Sequence, residues 1–316
     1  MVEIPALDDV DRGLLHALQL DGRASFAAVA QVLGTSESTV ARRYRRLRAA
    51  GALRVVGGTS TDQPSWTVRL RCTPDAATAL AAALARRPDT FWVHVLSGGT
   101  EISCFVQARD EDARDSLLLA KLPRTNRVLE VTAHLMLEGF TGPGEWRGLA
   151  WLRPDQVEAL RPAPPPAPAP VAPADADRDL LAALAQDGRT SYAELAGRTG
   201  WSESTVKRRL EHLRAQGVLR FQLEVPHTVL GFHAEARLWL SVRPAALVAV
   251  ATALAGHPEV QFAAVTTGPT NLMASVVCRD SRELYRYLTE RIASLPDVDR
   301  LESAPVLRTV KRTGAV

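Results

Sequence analysis

The 316-residue sequence contains no apolar run approaching the roughly 18 residues that a membrane-spanning helix requires, so no transmembrane segment and no membrane partner are expected. Its first residues, Met-Val-Glu-Ile-Pro-Ala-Leu-Asp-Asp, supply neither the basic nor the apolar stretch of a secretory signal, and the expected location is cytoplasmic. Cysteine is scarce. Cys72, Cys104 and Cys278 are odd in number, lie in apolar strand-like runs and show no Cys-x-x-Cys spacing, which argues against a disulfide framework or a zinc site and predicts buried thiols. Also missing are a Gly-x-Ser-x-Gly elbow, a phosphate-cradling glycine loop and metal-ligand spacing among the seven histidines. His94 and His134 fall in strand-like runs and read as core or edge residues. No catalytic residue, metal or cofactor is assigned.

What is present has an ordinary globular balance, 46% apolar and 23% charged, in a chain too long for one typical domain. The net charge is only +3, but it is unevenly spread: Ser36 to Arg48 holds five arginines against one glutamate. Asp8 or Asp9 can cap a first helix carrying Val10, Leu14 and Leu18, stopped by Asp21-Gly22. A second helix is expected after Ser25, burying Phe26, Val29, Ala30 and Leu33, and Gly34-Thr35 breaks it ahead of a third. Ser36 caps that third helix, whose Val40, Tyr44 and Leu47 recur at helical spacing. This is a helix-turn-helix with its third helix as reader. Leu53 to Val56 has the β character of a short wing or exit strand.

From Trp66 the period changes. Trp66 to Cys72 alternates as a half-buried strand, and Pro74 opens an alanine-rich helix reaching about Arg87. Phe91 to Leu96 and Glu101 to Gln107 read as strands joined around Ser97-Gly-Gly-Thr100; a helix from about Asp110 to Leu122 and a strand from Arg127 to Leu137 follow. The order β-α-β-β-α-β is the ferredoxin-like arrangement. Between Thr141 and Ala174 the regular pattern fails, and the proline-rich run within it reads as a semi-rigid polyproline II spacer; the twelve residues from Pro162 would reach roughly 37 Å. Trp146 and Trp151 are expected to pack on the preceding domain.

At Asp177 the chain begins again. A shift of 166 residues superposes Asp11 to Arg54 on Asp177 to Arg220 without a gap, with 26 of the 44 positions identical. Ser191 and Glu194 are placed to form a capping box. Beyond them, residues from Ala236 to Val310 repeat the β-α-β-β-α-β order. The expected class is α+β: two winged helix-turn-helix domains alternating with two ferredoxin-like (β-α-β-β-α-β) domains. The boundaries are residues 1–60, 65–140, a linker at 141–174, then 175–225 and 230–312.

A three-helix reader followed by such an α/β domain resembles the Lrp/AsnC, or feast/famine, family of transcription regulators, twice over. The marks are Asp-Arg-x-Leu-Leu at residues 11–15 and 177–181, the Asp-Gly-Arg-x-Ser loop, Ser-x-Ser-Thr-Val-x-x-Arg and Leu-Arg-Ala-x-Gly-x-Leu. The resemblance implies double-stranded DNA and a small-molecule effector, such as an amino acid, as partners, and homo-oligomers formed through the effector-domain sheets. Whether the two sheets of one chain pair with each other or with another copy stays open. The family turn Thr-Gly-x-x-Asp corresponds to Ser97, Gly98, Gly99, Thr100 and Glu101 in the first module and includes Thr267, Gly268 and Asn271 in the second. Glu101 keeps a charge for an α-amino group, whereas Asn271 offers none.

Reading DNA calls for short polar groups at the N-terminal turn of a helix and long cations behind them. Ser38 and Thr39 with Arg42 and Arg43 fit that layout, as do Ser204 and Thr205 with Lys207, Arg208 and Arg209. Arg45, Arg46 and Arg48 read as phosphate partners. Glu211 and His212 replace Arg45 and Arg46 in the second copy, so the first should grip the backbone harder. Siroheme decarboxylases resemble the same two-domain build, but the histidine- and tyrosine-bearing run of that family corresponds to Phe262 to Met273 here, which has neither residue. A sensor that has lost DNA binding is a third possibility, opposed by the basic reader helix in both copies.

Overall fold

The computed structural model describes residues 6–59, 64–108, 110–141, 146–162 and 174–312, which divide into a reader unit and a sheet unit. In the reader unit, helix α1 (Asp9–Leu20) starts where the Asp8 carboxylate accepts the Asp11 amide at 3.0 Å and the Asp11 carboxylate accepts the Asp8 amide at 3.2 Å. This reciprocal bond satisfies two amides that the helix itself leaves unpaired. Ser25 caps α2 (Phe26–Leu33), which ends at Gly34 with φ 64°, a left-handed value that glycine adopts at little cost. Ser36 caps α3 (Glu37–Ala49). The apolar faces converge on Leu14, Leu18, Val29, Val40 and Leu47, all buried.

The sheet unit comes next along the chain. It contains β2 (Trp66–Cys72), α4 (Ala77–Ala85), β3 (Thr90–Leu96), β4 (Glu101–Val106), α5 (Glu111–Asp115) and β5 (Val128–Gly139). Chain order then adds α6 (Pro154–Leu160) and the second reader, α7 (Arg178–Gln186), α8 (Tyr192–Thr199) and α9 (Glu203–Ala215), to the reader unit. Ser191 accepts the Glu194 amide at 3.2 Å, but the expected capping box is only half made. The Glu194 carboxylate is taken by Arg198 at 2.8 Å, one turn along α8, where a charged partner outcompetes the cap amide.

Strand β1 (Arg54–Thr59) does not fold back into a wing of its own reader. It pairs antiparallel with β6 (Leu219–Glu224), its equivalent after the second reader, in the register Arg54↔Glu224 to Thr59↔Leu219. Helix α6 corrects the expectation of an irregular linker over 141–174: Pro154 opens it, and Gln156 Nε2 donates to the Val32 carbonyl of α2 at 2.6 Å. The proline-rich run at 163–173 lies outside the described residues. Trp151 also departs from expectation. Its amide and that of Leu152 donate to His16 Nδ1 at 3.0 and 2.9 Å, and Arg12 lies over its ring, so it packs on the first reader.

The second half of the sheet unit consists of β7 (Ala234–Val242), α10 (Leu247–Ala255), β8 (Val260–Thr266), β9 (Leu272–Cys278), α11 (Ser281–Arg286) and β10 (Val298–Lys311). The α5 and α11 helices each run on into a wider π turn, at Ser116–Lys121 and Tyr287–Ile292. Both halves have the ferredoxin-like order, and the alternation of each strand sends one side chain set toward the helices. Val68, Leu70, Ile102 and Cys104 meet Ala81, Leu84 and Leu117; Leu238, Leu240, Ala274 and Val276 meet Val250, Leu254 and Tyr287. Burial pushes the Cys104 and Cys278 thiols up to about 12, as inert core groups.

The other faces meet each other. The strands close into one barrel, β10-β3-β4-β2-β5-β8-β9-β7, in which β5 of the first half pairs with β8 of the second and β10 with β3. The two sheets of one chain therefore pair within that chain. Trp146 belongs to the second half, not the preceding one: its ring lies 5.7 Å from Phe232 and its Nε1 donates to the Pro258 carbonyl at 2.9 Å.

Asp177, fully buried at the start of α7, accepts from Arg209 Nε and Nη2 at 2.6 Å each and from the Ala174 amide at 2.9 Å. The Arg209 bonds hold its carboxyl below the usual carboxylate range. A depressed folded-state value means that this contribution is complete above about pH 4 and is lost as pH falls through the folded value. Asp177→Asn is expected to cost about 2 kcal/mol at pH 7 by denaturant unfolding, with the gap to the unaltered protein closing below about pH 4.

Candidate nucleic-acid interface

The two reader helices begin with the same hydroxyl cluster. Ser36 Oγ lies 3.0 Å from Ser38 Oγ and 2.9 Å from Thr39 Oγ1, and Ser202, Ser204 and Thr205 repeat both distances. Ser38 and Ser204 are exposed. One turn on, Arg42, Lys207 and Arg208 are exposed and free of ion pairs among the described residues, and Arg45 is exposed with only its Nε donated to the Ala41 carbonyl at 3.3 Å.

The structure divides the remaining sequence-selected cations differently. Arg43 is bound by Asp8 at 2.5 Å and Asp11 at 3.2 Å, Arg46 by Asp11 at 2.5 Å, and Arg209 by Asp177. Arg43 and Arg46 are three residues apart and share the helix face turned to α1, where the fully buried Asp11 needs a counter-charge. Hydrogen bonding to Asp8 raises the Arg43 pKa, and hydrogen bonding to Asp177 raises that of Arg209. These three arginines hold their own bundles. Arg48 is taken by Asp187 of the second reader at 2.6 Å.

A reciprocal exchange joins the readers, carried by residues to which the sequence reading gave no role. Arg23 Nη1 donates to the carbonyls of Gly188 and Thr190 at 2.8 and 3.1 Å; Arg189 Nη1 donates to those of Gly22 and Ala24 at the same two distances. Arg23 also lies over Tyr192 and Phe221, and Arg189 over Phe26 and Tyr44. Arg214 to Asp21 at 3.0 Å mirrors Arg48 to Asp187. The glycine of each Asp-Gly-Arg loop allows this approach: a Cβ on Gly22 would sit 2.8 Å from Val55, and one on Gly188 would sit 2.9 Å from Phe221. The repeated loop was the available signal; which arginine bonds which carbonyl depends on the other copy.

In the sheet unit, Ser97, Gly98, Gly99 and Thr100 form a tight turn with φ of 50°, 73° and 85° at the first three residues, leading to Glu101. Glu101 is buried, and its carboxylate accepts from Arg69 Nε at 2.5 Å. In the second turn, Thr267 Oγ1 accepts the Leu135 amide at 2.9 Å, and a Cβ on Gly268 would meet the His134 ring at 2.4 Å. Asn271 bonds both backbone groups of Val242, at 2.9 and 2.8 Å. The Glu101 and Asn271 side chains thus already have protein partners. The described residues include no group of three or more potential metal ligands and no helix long and apolar enough to cross a membrane.

Comparison with known proteins fits this architecture. The AsnC-type helix-turn-helix domain matches residues 7–48 and again 175–214, and the Lrp/AsnC ligand binding domain matches 235–316. The uncharacterized HTH-type transcriptional regulator PH0140 of Pyrococcus horikoshii is 32% identical over 138 residues, 43% of this chain and 87% of that protein. The chain belongs to the Lrp/AsnC family. HTH-type transcriptional regulator Rv2324 of Mycobacterium tuberculosis is 36% identical over 133 residues, covering 40% of this chain and 87% of that protein. Each match accounts for less than half of this Lrp/AsnC chain, as a tandem duplication requires. The crystal structure of the siroheme decarboxylase NirDL covers 97% of this chain and 93% of its own, with a TM-score of 0.63 and 14% identity, which shows a shared fold.

The division of arginines in this Lrp/AsnC protein predicts a division of stability. Arg43→Ala and Arg209→Ala are expected to lower unfolding free energy by about 1–2 kcal/mol each, by uncovering a buried carboxylate. Arg42→Ala and Arg208→Ala should stay within about 0.5 kcal/mol of the unaltered chain in the same denaturant titration.

Proposed function

We propose that this protein is a cytoplasmic transcriptional regulator that reads double-stranded DNA with two helix-turn-helix units of one chain, held as a pair. The observation that carries the reading is the repeated set of hydroxyls and cations at the start of α3 and α9, with Arg42, Lys207 and Arg208 exposed and unpaired among the described residues while Arg43, Arg46 and Arg209 are tied to carboxylates of their own bundles. Ser38, Thr39, Ser204 and Thr205 are assigned to base edges, and Arg42, Lys207 and Arg208 to guanine or phosphate. Arg45 is assigned to phosphate, and its counterpart Glu211 weakens the grip of the second reader. The two readers then address related but unequal half-sites.

A small molecule of the amino-acid class is proposed as effector, supported by the match to the ligand-binding domain. Glu101 is the charged group of the first turn that could meet an α-amino group, in exchange for Arg69; the second turn has only the engaged Asn271. No enzymatic role is proposed. The likeness to NirDL extends over the whole fold, but Phe262 to Met273 supplies no histidine or tyrosine at the place where the decarboxylase resemblance requires them.

Gel retardation of duplex DNA at two salt concentrations tests the assignment. Binding should weaken steeply with salt; Arg45→Ala should reduce the salt slope by about 1, and Arg42→Ala should weaken binding and relax sequence preference. Affinity untouched by Arg42→Ala combined with Lys207→Ala and Arg208→Ala would refute the assignment. Absent retardation together with conversion of added siroheme would establish the enzyme instead.

A further inference from the structure

The two halves of the barrel superpose with a shift of 170 residues, as the paired registers Met136↔Thr266 and Val306↔Leu96 require. On the inner faces the equivalent positions have diverged, and in a complementary way. Arg69 stands where the second half has Trp239, and the two meet: the guanidinium lies 3.7 Å from the indole ring centroid. Glu302, which accepts from Arg69 at 2.6 and 3.1 Å, stands where the first half has Thr132. Arg237, only 3% exposed, stands where the first half has Thr67, and its Nη2 donates to His94 Nε2. His94 in turn stands where the second half has Ala264, and its Nδ1–H donates to Thr309 Oγ1 at 3.1 Å.

We propose that these differences fit the inner face of each half to the other kind of half and make it reject a second copy of itself, so that a barrel closes from one first half and one second half. If two first halves paired, Arg69 would face Arg69 in place of Trp239 and would find Thr132 in place of Glu302. Only Glu101, on its own half, would remain to it. If two second halves paired, each Arg237 would face Ala264 and lose the His94 acceptor. Glu235, 3.9 Å from Arg237 on the same strand, is present in either pairing and does not replace that acceptor. A buried guanidinium without its partner, or two facing each other, costs more than the apolar contacts of the pair return.

The readers choose less sharply: Arg54 meets Glu224 at 3.3 Å across β1 and β6, where the first reader has Gly58 in place of Glu224, but the bonds of the two loops are shared alike. Arg23 and Arg189, Asp21 and Asp187, and Arg48 and Arg214 are equivalent residues making equivalent bonds, so any second copy of either reader could satisfy them. The larger share of partner selection therefore rests in the barrel, whose differing residues are buried or partly buried.

Register-specific disulfides in the full chain test the proposal. Gly139 and Ala264 are register partners, equivalent to Thr309 and His94, whose side chains touch. Under mild oxidation Gly139→Cys/Ala264→Cys should cross-link within the chain and run as a monomer on a non-reducing gel. Positions 264 and 309 face each other only when the second halves of two chains pair, so Ala264→Cys/Thr309→Cys should give only a trace of covalent dimer. Adding Arg237→Thr, which removes the guanidinium stranded in a second-half pair, or Glu302→Thr at the more exposed position, which removes a bond to Arg69 that only the first-with-second pairing makes, should raise the covalent dimer at least fivefold. Covalent dimer from Ala264→Cys/Thr309→Cys alone, in a yield matching the intrachain cross-link, would overturn the proposal. So would the absence of any rise in dimer with both added substitutions.

Discussion

A four-stranded sheet covered by helices on one side leaves a bare face and two open edge strands, and each half of this sheet unit would carry that liability alone. The chain removes it by setting one half against the other. Edge strand β5 of the first half pairs with β8 of the second, and β10 pairs with β3, so the closed barrel leaves no strand edge unpaired. Register shifts at both junctions, between Met136 and Glu138 and between Val306 and Arg308, bend the strands where they cross from one sheet to the other. The barrel interior mixes apolar groups such as Leu96, Ala264 and Met273 with Arg69, His94, Arg237 and Trp239, and those polar groups give the pairing its specificity.

The reader unit solves its own problem by symmetry. Each three-helix bundle is small, and each sends one arginine into the carbonyls of the other's Asp-Gly-Arg loop while β1 and β6 zip together. The internal use of Arg43, Arg46, Arg48 and Arg209 reduces the apparent basicity of the reader helices. What stays outward is a compact set of hydroxyls and cations suited to base edges and phosphates. Function in this reading depends on which charges remain unspent after folding, not on how many the helix carries.

Much of the fold was legible in the residues. Asp8, Ser25, Ser36, Ser191 and Ser202 all cap helices, because a short oxygen-bearing side chain beside an apolar periodicity has few other uses. The 166-residue repeat announced two readers, and the strand alternation announced two ferredoxin-like halves. Less legible was the fate of individual charges. Glu194 chose Arg198 over its cap, and Asn271 chose the Val242 backbone over an open turn. Trp146 and Trp151 each found a surface other than the one preceding them in sequence. These outcomes follow from which group is nearest in space, and spacing along the chain does not carry that information.

The sequence by itself determined most of the local elements, α6 excepted, together with the duplication and the family, because capping, periodicity and repeated motifs act over a few residues. Only the tertiary structure decided that β1 joins β6 rather than forming a wing, and that the two sheets close on each other. It also decided that Arg43 is a bundle residue while its neighbour Arg42 is not. Each of those depends on a partner more than 30 residues away, placed by packing, and a buried carboxylate or an open strand edge exerts its pull only once the fold has brought it close.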